Sequence, residues 1–272
     1  MRTFTLIFTL LLSSTIHAQM FVPRANDLIV PLAAASRILI PAAGDVPGAA
    51  GTHFRSDIDV INLRDANQRV ELRWLPMQGT GSVLVRTLTL PPLSGVASEN
   101  FVAEILQTSG LGAIQITGLT DSGAHDTAAR LHATARIWTP QPNDGDNVDD
   151  EGTMSQTFPA IVLTSPQTST VKTVFGLRRS GQYRLNAGVT NLAATTQRFR
   201  ITAYIFSSFV EPQVVEVDVA GQSMIQVNIS GTTSGLVQIV IENLSGGTEW
   251  HAWGSSIDNE SGDAWSQMAF GG

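Results

Sequence analysis

One phrase occurs twice in this chain. Residues 54–63 read FRSDIDVINL and residues 183–192 read YRLNAGVTNL. At a constant offset of 129, Phe54 meets Tyr183, Arg55 meets Arg184, Asp57 meets Asn186, Val60 meets Val189, Asn62 meets Asn191 and Leu63 meets Leu192. Gln68-Arg69 then meets Gln197-Arg198 without a gap. A repeat at fixed spacing constrains the fold more than residue propensities do, because each copy must be a unit that folds in the same way. The likeness resumes downstream at shorter offsets, AIQIT from Ala113 with LVQIV from Leu236 and LHATA from Leu131 with WHAWG from Trp250. The sequence therefore predicts a tandem duplication.

Within each copy the hydrophobic period is two. RVELRWL sets Val70, Leu72 and Trp74 against Arg69, Glu71 and Arg73, and RFRITAY sets Phe199, Ile201 and Ala203 against Arg198, Arg200 and Thr202. VVEVDV and MIQVNIS alternate in the same way. Such strands bury one face and wet the other, so they pack as paired sheets. The predicted class is all-β, with two tandem immunoglobulin-like or jelly-roll-like β-sandwich modules related by internal duplication. One helix is expected in the first copy, at SENFVAEILQTSG, capped by Ser98, with Phe101, Val102, Ile105 and Leu106 on one face and Gly110 ending it. In the repeated phrase, the asparagine at 62 or 191 is expected to leave the strand at a bend and hydrogen-bond its own backbone. Arg55 with Asp57, and Arg184 with Asn186, share a strand face and are positioned to pair.

Residues 1–18 have the layout of a signal peptide: Arg2, the apolar run Phe4–Leu12, and SSTIHA ending at Ala18. The expected organisation is a signal peptide at 1–18, a lead-in at 19–36, module 1 at 37–158 and module 2 at 159–272. No later stretch reaches the ~20 apolar residues of a membrane span, so a secreted or periplasmic chain without membrane insertion is expected. No cysteine is present, which excludes thiol catalysis and thiolate metal sites and points to a bacterial exterior. Removing Arg2 from the 16 basic residues leaves 15 against 23 acidic ones, with no Lys or Arg after Arg200. Nucleic acid is therefore not an expected partner, since displacing phosphate counterions needs cations.

GTHFRSDIDVINL, EGTMSQTFPAI, GLRRSGQYRLNAGVTNL and SSIDNESGDA together resemble a family of secreted bacterial proteins. In that family an FRT-(Asn/Asp)-L…V-N phrase opens each of one or two β-sandwich modules. The resemblance spans Arg37 to Ala269, with Leu185 standing where the family usually carries a small hydroxyl residue. It implies the sandwich fold and export, and it carries over no catalytic residue.

Candidate sites are few. The acidic loop Gln141–Thr153, with Asp144, Asp146, Asp149 and Asp150, offers oxygen ligands for a calcium ion, although Val148 breaks the helical calcium-loop pattern. The loop reads first as a solvated linker or hairpin loop and only second as a cation site. No histidine pair has zinc spacing, and the strand histidines His132 and His251 read as rim residues. No Gly-x-Ser-x-Gly elbow or phosphate-binding glycine loop occurs, so no enzyme and no cofactor are expected. Trp250 and Trp253, three apart in a strand, point to opposite faces. Trp253 and Trp265 are thus candidates to stack on a sugar ring, or alternatively to pack inside and between the modules. The functional expectation is a non-enzymatic binding or structural module of the cell exterior that engages a protein partner or a surface assembly. The alternative is a carbohydrate-binding protein.

Overall fold

The computed structural model describes residues 34–48, 51–140, 152–163, 168–206, 211–229, 231 and 233–271. The first half runs β1 (Arg37–Pro47), β2 (His53–Asn62), β3 (Gln68–Pro76), β4 (Leu84–Leu90), β5 (Gly95–Ser98), α1 (Phe101–Glu104), β6 (Gly110–Leu119), β7 (Leu131–Pro140), β8 (Thr153–Pro159) and β9 (Ile161–Val162). The second runs β10 (Val171–Arg179), β11 (Tyr183–Asn191), β12 (Gln197–Phe206), β13 (Gln213–Val219), β14 (Ser223–Asn228), β15 (Gly235–Asn243), β16 (Trp250–Asp258), β17 (Ala264–Met268) and β18 (Phe270–Gly271). The chain is all-β, and its strands pair antiparallel.

In the first half β1 turns a corner. Residues Arg37 to Asp45 pair with β6, whereas Val46 and Pro47 pair with β2. One nine-stranded sheet thereby folds into two layers, β4-β3-β6-β1-β9 and β5-β2-β7-β8. The second half forms a five-stranded sheet, β13-β12-β15-β10-β18, and a four-stranded one, β14-β11-β16-β17. Strand for strand, the two halves have the same order. Both first strands also slip register at one place, between Ile40 and Ala43 in β1 and between Val174 and Leu177 in β10. In β10 the slip includes Gly176 at φ +77, a conformation that favours glycine.

These registers correct one sequence match. Ile114 faces Ile40 and Ile239 faces Val174, so Ile114 corresponds to Ile239 and not to Val237. With a period of two, a two-residue slip keeps every apolar side chain on its face, so the sequence alone could not see the error. The expected boundary at 158/159 also moves. Ile161 and Val162 pair with β1, and Leu163 N–H donates to Arg37, so the first half extends to residue 163.

Each half has its own core. Ile38, Ile40, Ile58, Val60, Val70, Leu72 and Trp74 are buried in the first, and Val174, Leu185, Val189, Phe199, Ile201 and Trp250 in the second. Between β5 and β6 the expected helix is a single turn, with Phe101, Val102 and Leu106 buried. Ser98 does not cap it. Asn100 holds that position, while the Ser98 hydroxyl donates to Glu104 at 2.6 Å.

The repeated asparagine works as the sequence suggests, and it also reaches beyond its own turn. Asn62 Nδ2 donates to the carbonyls of Ala66 (2.7 Å) and Pro91 (2.9 Å), and its Oδ1 accepts from Arg64 N–H. Asn191 makes the same set with Thr195 (2.9 Å), Ala220 (3.1 Å) and Ala193 N–H, and its contact with Val219 at 3.0 Å matches that of Asn62 with Leu90 at 3.4 Å. Each amide ties the bend after one strand of the four-stranded sheet to the end of the edge strand in the facing sheet. Both side chains are fully buried, where an orphaned polar group costs ~1–3 kcal/mol. Asn191→Ala should therefore lower the unfolding free energy by about 2–3 kcal/mol in a urea titration.

Candidate functional site

The two halves dock through the outer face of the second half's four-stranded sheet. Trp253 on β16 is 1 % exposed and packs edge-on against Phe158 of β8, with ring centroids 5.0 Å apart. Gly188 on β11 lies directly opposite, and a Cβ there would come within 2.0 Å of the indole. Met224 on β14 bridges to Met77, Gln78 N–H donates to the Met224 carbonyl at 2.8 Å, and Arg73 Nη1 donates to Gln222 Oε1 at 3.3 Å. Along the opposite edge, β17 lies beside β8, and the Ser266 hydroxyl donates to the Thr157 carbonyl.

This geometry corrects the expectation that Trp253 offers a stacking surface: the indole is buried against the first half. Trp250 lies on the other face of β16, inside the second core, edge-on to Phe199. Trp265 is half-buried; its indole N–H donates to the Gly176 carbonyl at 3.1 Å and its ring meets Tyr183 edge-on at 5.5 Å. The candidates Asp144, Asp146, Asp149 and Asp150 lie outside the described residues. Among the described residues, no group of three or more His, Asp or Glu is placed to hold a metal ion. No described helix is long and apolar enough to cross a membrane.

The expected same-face pairs do not form. Arg55 instead sits over Trp138, 5.8 Å from the ring centroid, and Arg184 Nη1 donates to Asn259 Oδ1 at 3.0 Å. Asp57 is held above the usual carboxylate range by burial and by the neighbouring Asp59 and Glu99 charges. His251 is no rim residue either. It is 5 % exposed, and burial, with Lys172 nearby, pushes its imidazole down to about 3. Lys172, the sole lysine of the chain, takes the core position that Ile38 holds in the first half. Its ammonium lies 5.1 Å from the Trp250 ring, and burial brings it down to about 8.

A groove of about 340 Å3 opens at one end of the second sandwich, lined by Arg179, Tyr183, Arg184, Asn228, Asn259 and their neighbours. Arg179 is committed within the protein, donating to the Thr233 carbonyl at 3.1 Å and to Gln213 Oε1 at 2.7 Å. Beside this groove begins the least expected feature of the surface. The outer face of β13-β12-β15-β10-β18 exposes Val214, Tyr204, Phe206, Leu236, Phe175 and Phe270, each between 42 and 65 % accessible. Phe206 lies directly opposite Leu236, Tyr204 is two residues along the same strand, and Thr202 links Val214 on one side to Val240 on the other. Val240 and Phe270 both flank Thr173, so the apolar row crosses all five strands. The other end of this face is ionic. Glu216 accepts from Arg198 and Arg200, both at 2.9 Å, and those guanidiniums hold its carboxyl below the usual range. The sequence shows these apolar residues only as the outward positions of alternating strands; the missing signal was that the outward positions at one end are themselves large and apolar.

No family model matches the chain, and no curated protein matches it. Among solved structures it is similar to a crystal structure of Thermotoga maritima 1070. The two share 14% identity over 39% of this chain and 97% of that one, with a TM-score of 0.33.

The buried imidazole makes stability depend on pH. An unfolded histidine takes a proton near 6.5 and the folded one only near 3, so between those values the unfolded state binds more protons. The imidazole's contribution is then full above 6.5 and falls as the pH drops toward 3, by at most about 1.4 kcal/mol per unit. Urea titrations across that window should show this acid limb, and His251→Leu should flatten it.

Proposed function

We propose that this chain is an exported, non-enzymatic binding or structural protein of the bacterial cell exterior that engages a protein partner through the outer face of β13-β12-β15-β10-β18. The observation that carries this reading is the apolar row from Val214 through Tyr204, Phe206 and Leu236 to Phe270. Its exposed area is roughly 600 Å2, the upper end of the largest patch on an ordinary monomer, and patches of that size usually mark interaction surfaces. The signal-peptide layout of residues 1–18 and the lack of cysteine support export. Internal duplication also belongs to this reading. It is supported by the shared strand order, the matching register slips and the two asparagine clamps. The resemblance to secreted one- or two-module sandwich proteins points the same way.

A carbohydrate-binding role is the second reading. With Trp253 buried, it rests on Tyr183 and Trp265 beside the groove that Asn228 and Asn259 line. Amide side chains next to an aromatic edge suit a neutral sugar.

Residues 19–272, used as bait on envelope and medium fractions of the native host, should retain one protein in stoichiometric yield. Phe206→Glu bait should lose it. Retention unchanged by Phe206→Glu would sink the assigned surface. Loss of capture for both baits, combined with a tryptophan-fluorescence change on adding polysaccharide, would favour the sugar reading.

A further inference from the structure

The surface that joins the two halves occurs a second time in the chain. On β3 and just beyond it, the outward positions Leu75 and Met77 lie at the junction. Leu75 is fully buried, Met77 bridges Met224, and Met77 N–H donates to Leu111 at 2.7 Å. Counted from the paired Gln68 and Gln197, the same positions on β12 hold Tyr204 and Phe206. Leu236, opposite Phe206, takes the place of Leu111. These three are 42, 56 and 55 % exposed. In the first half the position is covered by the second half. In the second half it is larger, more aromatic and open among the described residues.

We propose that a second copy of this chain covers it, giving a two-fold homodimer packed face to face through β13-β12-β15-β10-β18; this rests on the reading of that face as an interaction surface. Three observations favour the second copy. A head-to-tail array is closed off by chemistry. The sheet that does the covering inside the chain presents Gly188 and Trp253, but its counterpart in the first half presents Asp59 and Thr134, with Asp57 beside them. Tyr204 and Phe206 offer no cation to replace the water that those clustered carboxylates would lose on burial, which makes that contact costly. The apolar face, by contrast, matches itself. At its ionic end Arg198 and Arg200 pair within each copy with Glu216 and Glu242, which among the described residues leaves Asp218 as the one further outward acid there, so two copies meet mostly paired charges despite a chain charge of −7. An isologous contact places the same patch on both sides, as a two-fold axis requires. The area also suffices: two such rows bury roughly 1,200 Å2, where standard interfaces begin.

Light scattering coupled to size exclusion on residues 19–272 at micromolar concentration tests this. The wild type should show twice the monomer mass. Phe206→Glu and Leu236→Glu, both at exposed positions, should each halve it while leaving the far-UV spectrum unchanged. Val85→Glu, an exposed valine on the first half, should remain dimeric. A monomeric wild type overturns the proposal, and so does a dimer that survives both glutamates. If the wild type is monomeric yet its bait still captures a host protein that Phe206→Glu loses, the second copy is excluded while the interaction surface stands.

Discussion

Trp253 seated over Gly188 is the contact on which the arrangement of the molecule depends. β16 carries one indole into each of two cores, Trp250 inward and Trp253 outward. The strand is buried on both faces along nearly its whole length. An antiparallel sheet usually keeps one face wet; here the wet face has become an internal seam, and the absence of a side chain at residue 188 makes room for the ring. Because the interior is close-packed, even one methyl group at 188 has no free volume to enter.

The corresponding seat in the first half is built differently. Strand for strand, Gly188 stands where Asp59 does and Trp253 where Thr134 does. Thr134 donates its hydroxyl to Asp59 at 3.3 Å on a face open to solvent. One pair of positions thus holds an acid and a hydroxyl where the sheet meets water, and a glycine and an indole where it meets protein. Lys172 and Ile38 form a similar contrast inside the cores. The same fold tolerates a buried ammonium against Trp250 in one half and an aliphatic chain in the other. The two cores therefore differ in polarity while their strand order is the same.

Much of the fold was legible because period-two alternation is local and survives inspection of a single strand. β3, β12, β13 and β14 fall where Val70-Leu72-Trp74 and their counterparts place them. The asparagine bends were legible as turns, but their long reach to Pro91 and Ala220 was not, since those carbonyls are 29 residues away. Trp250 and Trp253 were placed on opposite faces correctly. Which face met water could not be read, because that depends on where a second sandwich comes to rest. The apolar row was hidden for a related reason. Tyr204, Phe206, Leu236 and Phe270 come from three strands, and only the register Phe206–Leu236 and Thr173–Phe270 brings them together.

The place of Lys172 also sets how the protein meets amine chemistry. With its only lysine 2 % exposed on β10, the folded surface offers carboxylates and guanidiniums but no accessible ε-amino group. Succinimidyl labels and aldehyde fixatives therefore find no lysine side chain to attack on the folded surface.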